Sequence, residues 1–597
     1  MTHTKVTGAE NIKWDLRDLF DSIDSPKILE GMEKTKKEAC EFENKYKGKL
    51  AQQSSESLLE AFETLERIIK PEYKIGQYVQ LVYSIDTSCD KVKALMSQVD
   101  QIGSEVSNHF VFFDLELAQV SKEKYQEFLN SDCLSEYKYS LSLTKKTAKY
   151  NLTEKEEQVI NLKDITGESA FKKLYSDLTS SFEFEFEIDG KLKKMNGSEL
   201  RALRHNPDPK IRRSAMKTFF KSYEENSLVL SQCYNNIVKD QSIEKNLRGY
   251  KNAISIRNVG SDLEDTAVEV LHDTTTESYK LVHRYYKLKA KIMDIPDMTL
   301  ADIYAPMPEA NKVYTWDMAK NLVLEGFAAF DEDIYKKAKS MFDENKIHAP
   351  VAPTKRGGAY CSSSIPELKP YVLLNFLGKP RDVATLAHEL GHAIHDMYCA
   401  KQNLTNYHPI LPLAETASIF SEMIITDLLL KNETDKQVKQ VLICDKLEDI
   451  FASSHRQNMF SRFEINSHKK IDKKIMSTPE LCKLYTEELK LMFGESVKIT
   501  DEYKWEWASI PHIYESPFYV YAYNFANLLV IALYEKYLEE GESFIPKYKE
   551  FLSLGSAASP LDITATVNAD ITDPNFWHKS LNYIERLIDQ LEEIVNN

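Results

Sequence analysis

The sequence predicts a mostly α-helical protein, and three observations carry that expectation. Glycine is scarce, 18 of 597 residues or about 3%, against a usual value of about 7%. Proline is low as well, at 20. Tight turns and hairpins need these two residues, so the shortage argues against a many-stranded sandwich, a barrel or a Rossmann-type chain. The third observation is periodicity: apolar positions in 57–69 and 91–106 recur with the spacing of one helix face, with charges filling the other.

Taken in order, the first 180 residues read as a succession of amphipathic helices. Residues 182–195 then switch to strict alternation around Asp189-Gly190, the turn chemistry of a tight hairpin. The hairpin marks a boundary, so the expected organisation is an N-terminal helical region, 1–195, and a catalytic helical region, 196–597. Asn206-Pro-Asp-Pro209 makes a turn before another helical run, and 293–316, with Pro296, Pro306 and Pro308, reads as an irregular connector with one strand. Gly357-Gly358 precedes the apolar run 370–376, a short strand that two glycines allow another backbone to approach.

The formal charge of −16 offers no global attraction for nucleic acid or anionic lipid. Eight dispersed cysteines without a C-x-x-C pair read as free thiols in a reducing compartment. The N-terminus MTHTKVTGAENIKWDLRDLF has neither a signal-peptide apolar core nor Arg-rich transit-peptide character, so a cytoplasmic location is expected. Residues 516–534 carry no charge over 19 positions, close to the length of a membrane span. Tyr519, Tyr521, Tyr523, Asn524 and Asn527 would all need partners at bilayer depth, which favours a helix buried inside the protein.

The chemistry concentrates at 382–422. Val383, Leu386, Ala387, Leu390, Ile394 and Met397 form one stripe of a helix with Asp382 as N-cap, and His388, His392 and His395 fall on roughly the opposite side. His388-Glu389-Leu-Gly-His392 is the H-E-x-x-H arrangement: two imidazoles one turn apart bind zinc, and the intervening carboxylate is the general base. With 14 histidines in the chain, chance yields about 0.03 such matches. Two histidines leave a tetrahedral site one protein ligand short. The metzincin continuation is excluded, because His395 and Tyr398 stand where that pattern requires glycine and histidine. Glu415, on a following helix, is the expected third ligand. Glu422, seven residues on and therefore on the same face, is the expected acceptor for a ligating imidazole.

These residues, together with Lys355-Arg-Gly-Gly-Ala-Tyr-Cys361, the 370–376 strand and Glu415-Thr-Ala-Ser418, resemble oligoendopeptidase F, of the thimet oligopeptidase family of zinc metallopeptidases. The resemblance is strongest over 355–534. It implies an ellipsoidal, two-lobed helical fold with a deep substrate channel, a small antiparallel sheet near the active site, one Zn2+ per chain on His388, His392 and Glu415, and short unstructured peptides as substrates. It also implies that His512 and the tyrosines after it reach the scissile carbonyl. Tyr519 and Tyr523, four apart and so expected to share a helix face, are the favoured pair, with Tyr514 nearby as a substrate contact. A positioned donor of this kind is worth about 3 kcal/mol to the developing oxyanion. By the same analogy Gly357, Gly358 and the strand beginning at Tyr371 form an edge that pairs with an extended peptide. The family pattern is broken at Ala526, where a glycine is expected, which puts the mobility of that loop in question.

The resulting expectation is a zinc-dependent endopeptidase for oligopeptides, a monomer or a homodimer. A carboxypeptidase or dipeptidyl-type zinc peptidase on a similar helical cleft is the alternative within hydrolases, and a helical scaffold with a structural zinc is the alternative outside them.

Overall fold

The computed structural model describes residues 7–188, 190–307 and 313–596. Most are helical, and the helices are long because little interrupts them: Lys27–Tyr46, Ser55–Ile85 and Asp90–Asn108 open the chain. Ser54 caps the second of these by accepting from the Ser57 N–H, and Pro209 starts the helix Pro209–Glu225 after its Asp208 cap.

The chain packs as two compact units. Unit one comprises Met1–Lys149, Asn311–Asn432 and Tyr537–Ala569; unit two comprises Tyr150–Ala310, Glu433–Lys536 and Asp570–Asn597. The division expected at 195/196 is therefore not the one that packing makes. The hairpin is present, but it belongs with the segments on both sides of it, and each unit draws its core from three separated stretches. The hairpin pairs β1 (Phe184–Ile188) antiparallel with β2 (Lys191–Met195). Gly190 takes φ +71°, as its turn position requires, while Asp189 lies outside the described residues. The connector's Pro308 also lies outside them, and its described part carries a single 3-10 turn, Leu300–Asp302, with no strand.

Unit one holds a three-stranded sheet of β3 (Ile347–His348), β4 (Tyr360–Ser362) and β5 (Tyr371–Leu373), in the order β3-β5-β4. β4 runs antiparallel to β5, and β3 adds a parallel neighbour on the other side. Strand β5 is thus central, not the edge expected from sequence, because both of its sides are paired; β4 is an edge. Tyr371 and Leu373 pack in the apolar cluster formed with Met32, Ile75 and Tyr78.

Most of the uncharged stretch lies in the helix Tyr521–Glu540, whose residues are all buried from Asn524 to Lys536, while Tyr523 is exposed. Among the described residues no helix is long and apolar enough to cross a membrane. Asn524 and Ala526 sit in that helix interior, with Asn524 donating to Thr275 Oγ1, so no loop exists there for a glycine to loosen.

Candidate active site

The helix Pro380–Cys399 carries the H-E-x-x-H residues. Its N-cap is Lys379, not Asp382; Pro380 is pre-set for the first helical position, which places Asp382 at the third, where its carboxylate accepts from the N–H groups of Leu377 and Lys379 at 2.8 and 3.0 Å. The helix is buried on more than the expected stripe. Its second face packs on the helix Thr416–Asn432, and His395 is buried as well, beside the Ala414 backbone, its pKa lowered to about 4 by burial. Gly391 makes this approach possible: a Cβ at that position would lie 2.4 Å from the Ala417 carbonyl oxygen and 2.6 Å from the Ser418 Cα. Glycine inside the motif is what lets the second helix deliver its carboxylates.

That carboxylate is Glu415, at the junction between a short helix and Thr416–Asn432. Its Oε2 lies 3.4 Å from His388 Nε2 and 3.3 Å from His392 Nε2. Two ligand atoms each bound to a tetrahedral zinc are about 3.4 Å apart, the separation at which Glu415 Oε2 stands from each imidazole, and all three donors lie within 4.8 Å of one another. They are the only group of three or more potential ligands among the described residues. His388 Nδ1 points the other way, 3.5 Å from Glu422 Oε2, which orients the ring. Burial disfavours the charged form of His388, yet Glu415 and Glu422 outweigh it and raise its pKa to about 10; Glu415 is correspondingly held far below the carboxylate range. A site that so strongly favours positive charge between its imidazoles suits a cation.

Glu389 is 6% exposed and lies on the same helix turn. Burial raises its pKa, while His388, His392 and the Cys361 N–H pull against that rise. Two groups escaped sequence reasoning. Ser418 Oγ donates to Glu415 Oε2 at 2.7 Å, and β4, packed on the metal helix, presents the Cys361 N–H to Glu389. Ser418 was legible as a hydroxyl one turn beyond Glu415; the Cys361 backbone contact left no signal in residue type.

His512, Tyr519 and Tyr523 form a second cluster, in unit two. Their ring centroids are 6.1 Å (His512 to each tyrosine) and 5.4 Å (between the tyrosines) apart. Tyr519 is not on the helix with Tyr523 as expected: it sits in the turn before Tyr521, which Phe518 enters with φ +58°. The turn still brings the two rings together. Tyr514, expected at the substrate, is instead fully buried, stacked on Tyr175 at 3.8 Å, with its hydroxyl 3.4 Å from the Leu230 carbonyl. Two residues along a helix turn the side chain through about 200°, so His512 and Tyr514 cannot share a face. The Tyr371 side chain is likewise unavailable to a substrate, its hydroxyl held by Asp18 and Lys346. Gly357 and Gly358 are exposed at the approach to β4, with Gly358 at φ +78° and its carbonyl accepting from Asn375.

The model of peptidase family M3 matches residues 202–346 and 330–583, and that of oligopeptidase F matches 116–184. The chain belongs to peptidase family M3. Among curated relatives, it is 26% identical to oligopeptidase PepF of Bacillus subtilis, over 98% of this chain and 87% of that one. It is also 26% identical to the chromosomal oligoendopeptidase F of Lactococcus lactis subsp. cremoris, over 98% of both. The solved structure of oligoendopeptidase-F from Enterococcus faecium superposes with a TM-score of 0.70 at 20% identity, covering 96% of this chain and 100% of that one. A Chlamydophila abortus chain gives 0.86 at 23% identity, over 98% of each. As an M3 peptidase the protein hydrolyses peptide bonds by metallopeptidase chemistry, which removes the scaffold alternative, and the N-terminal match extends the resemblance beyond 355–534 to nearly the whole chain.

Proposed function

We propose that this M3 peptidase is a zinc-dependent oligoendopeptidase that cleaves internal bonds of short, unstructured peptides. The observation that carries the reading is the convergence of one nitrogen each of His388 and His392 with a Glu415 oxygen to within 4.8 Å of one another, beside the buried Glu389. A zinc ion held by these atoms supplies a Lewis acid and brings the pKa of a water it binds towards about 7.

The chain's own groups then have definite tasks. Glu389 takes a proton from the attacking water and returns it to the departing amine; its burial-raised pKa leaves it a better base than a solvated carboxylate. Glu422 accepts from the His388 Nδ1–H and keeps Nε2 free to ligate, while Ser418 fixes the rotamer of Glu415. His512, Tyr519 and Tyr523 supply N–H and O–H donors for the carbonyl oxygen as negative charge develops on it. Gly357, Gly358 and the edge strand β4 offer main-chain groups to an extended peptide, a mode of binding that tolerates many side chains.

A peptide blocked at both ends separates endopeptidase from exopeptidase action. Mass spectrometry should find internal cleavage products, and the activity should track about one zinc per chain and vanish with a chelator. A blocked peptide left whole while its free-ended version is trimmed from one terminus would instead favour the carboxypeptidase or dipeptidyl reading.

A further inference from the structure

A pocket of about 680 Å3 opens among the helices Ser227–Arg248, Asp265–Glu277 and His455–Ile471. Every residue lining it belongs to unit two, and none is a metal ligand or a member of the tyrosine cluster. Its size suits a small organic ligand. His468 lines it at 3% exposure with neither ring nitrogen hydrogen-bonded. Burial lowers the pKa of this imidazole to about 3, so it is neutral and offers one N–H and one acceptor nitrogen. Asn258, 1% exposed, donates through Nδ2 to Asp265 but leaves its side-chain oxygen without a partner. Buried polar atoms are rarely left unmatched, and here two residues on different helices leave them in one pocket.

The exposed rim carries both signs of charge. Lys469, in the last turn of the helix His455–Ile471, and Lys473, just beyond it, are positive, and Glu269 and Asp273 stand one turn apart on the helix Asp265–Glu277. None of the four makes an ion pair among the described residues, whereas the neighbouring Lys245 and Arg462 are engaged with Asp472 and Glu488. Unpaired side chains of both signs, together with buried neutral donor and acceptor atoms lining one pocket, match a molecule that carries a carboxylate, an ammonium and amides between them.

Phe518 also lines the pocket, its ring centroid 4.5 Å from that of His468 and its N–H donating to Glu464 Oε1 at 2.7 Å. Its left-handed φ is unusual for a bulky residue, and the next residue is Tyr519.

We propose that this pocket binds a free-ended peptide of two or three residues, and that occupancy acts through Phe518 on Tyr519. Peptides of that kind are products of peptide hydrolysis, so the pocket would report product to the site. The coupling rests on the role given to Tyr519 above; the binding does not. Calorimetric titration of the Glu389→Gln chain with glycyl-leucine tests the binding without turnover. The expected affinity falls at least tenfold in His468→Leu and in the pair Lys469→Glu/Lys473→Glu, and is lost for acetyl-glycyl-leucine amide. His468→Leu removes unpaired buried nitrogens, so a melting temperature at or above that of the parent shows that it folds. No binding, or equal binding by parent and both variants, overturns the site whatever Tyr519 does. With Glu389 intact, added glycyl-leucine should change kcat towards a blocked reporter peptide, and the double lysine variant should not respond. An effect on KM alone overturns the coupling.

Discussion

In unit one His388, Glu389 and His392 stand on a long helix locked at Gly391 against the helix Thr416–Asn432, with Glu415 in the turn that enters it; in unit two His512, Tyr519 and Tyr523 stand on a four-residue helix, a turn with a left-handed aromatic residue, and the first turn of a buried helix. The difference fits what each cluster is proposed to do. Three ligand atoms have to hold a metal to within a few tenths of an ångström at all times, which rigid helices with supporting hydrogen bonds provide. Donors that matter only while charge develops on a carbonyl need no such permanence, and Tyr523 is accordingly 39% exposed. On the proposed reading, the unit-one groups are pre-set and the unit-two groups adjustable.

Substitutions can break or sharpen that contrast. Glu389→Gln should retain the metal and lower kcat by about 10^3-fold; near-native turnover in that variant would remove the general base from unit one. Tyr519→Phe and Tyr523→Phe should each lower kcat by up to about 10^2-fold with little change in KM, and if neither does, the unit-two cluster is only packing. Gly391→Ala pushes a methyl into backbone, so a loss of about 2 kcal/mol in stability and less than one bound metal per chain are expected from melting and metal analysis. Glu422→Gln should weaken metal binding about tenfold or somewhat more while leaving the melting temperature nearly unchanged, a result that competition with a chelating dye measures.

A further expectation is a pH dependence of stability in unit two. His272 and His455 are buried, and burial lowers their pKa values to about 4 and about 3. The unfolded chain takes up these protons near pH 6.5, before the folded one does, so their contribution is full above about pH 6.5 and is lost as the pH falls towards 4 and 3. Each histidine can cost no more than about 1.4 kcal/mol per pH unit in that window. Melting temperatures should decline steadily from pH 7 to pH 4, less steeply in His455→Gln; a flat profile would exclude burial of these rings as a determinant.

How much was legible differs from residue to residue. His388 and His392 could be paired in advance because a spacing of four keeps side chains on one helical face wherever the helix goes, whereas Glu415 stands in the turn before its helix and meets both imidazoles through packing. Tyr371 and Tyr514 were misplaced because residue type does not report what covers a side chain: one tyrosine is tied to Asp18 and Lys346, the other to Tyr175, all distant in sequence. The edge of the sheet was misplaced for a similar reason, since β3 reaches β5 from a segment more than twenty residues upstream and its two-residue length leaves almost no periodic trace.

The sequence by itself determined the helical class, the H-E-x-x-H motif and the family, because each rests on local spacing or on an ordered set of short motifs. Only the tertiary structure decided the two interleaved units, the central place of β5, the turn position of Tyr519, and the packing of Gly391 against Ala417 and Ser418. Those features depend on contacts between residues far apart in the chain, whose energies come from shape and burial that no local pattern encodes.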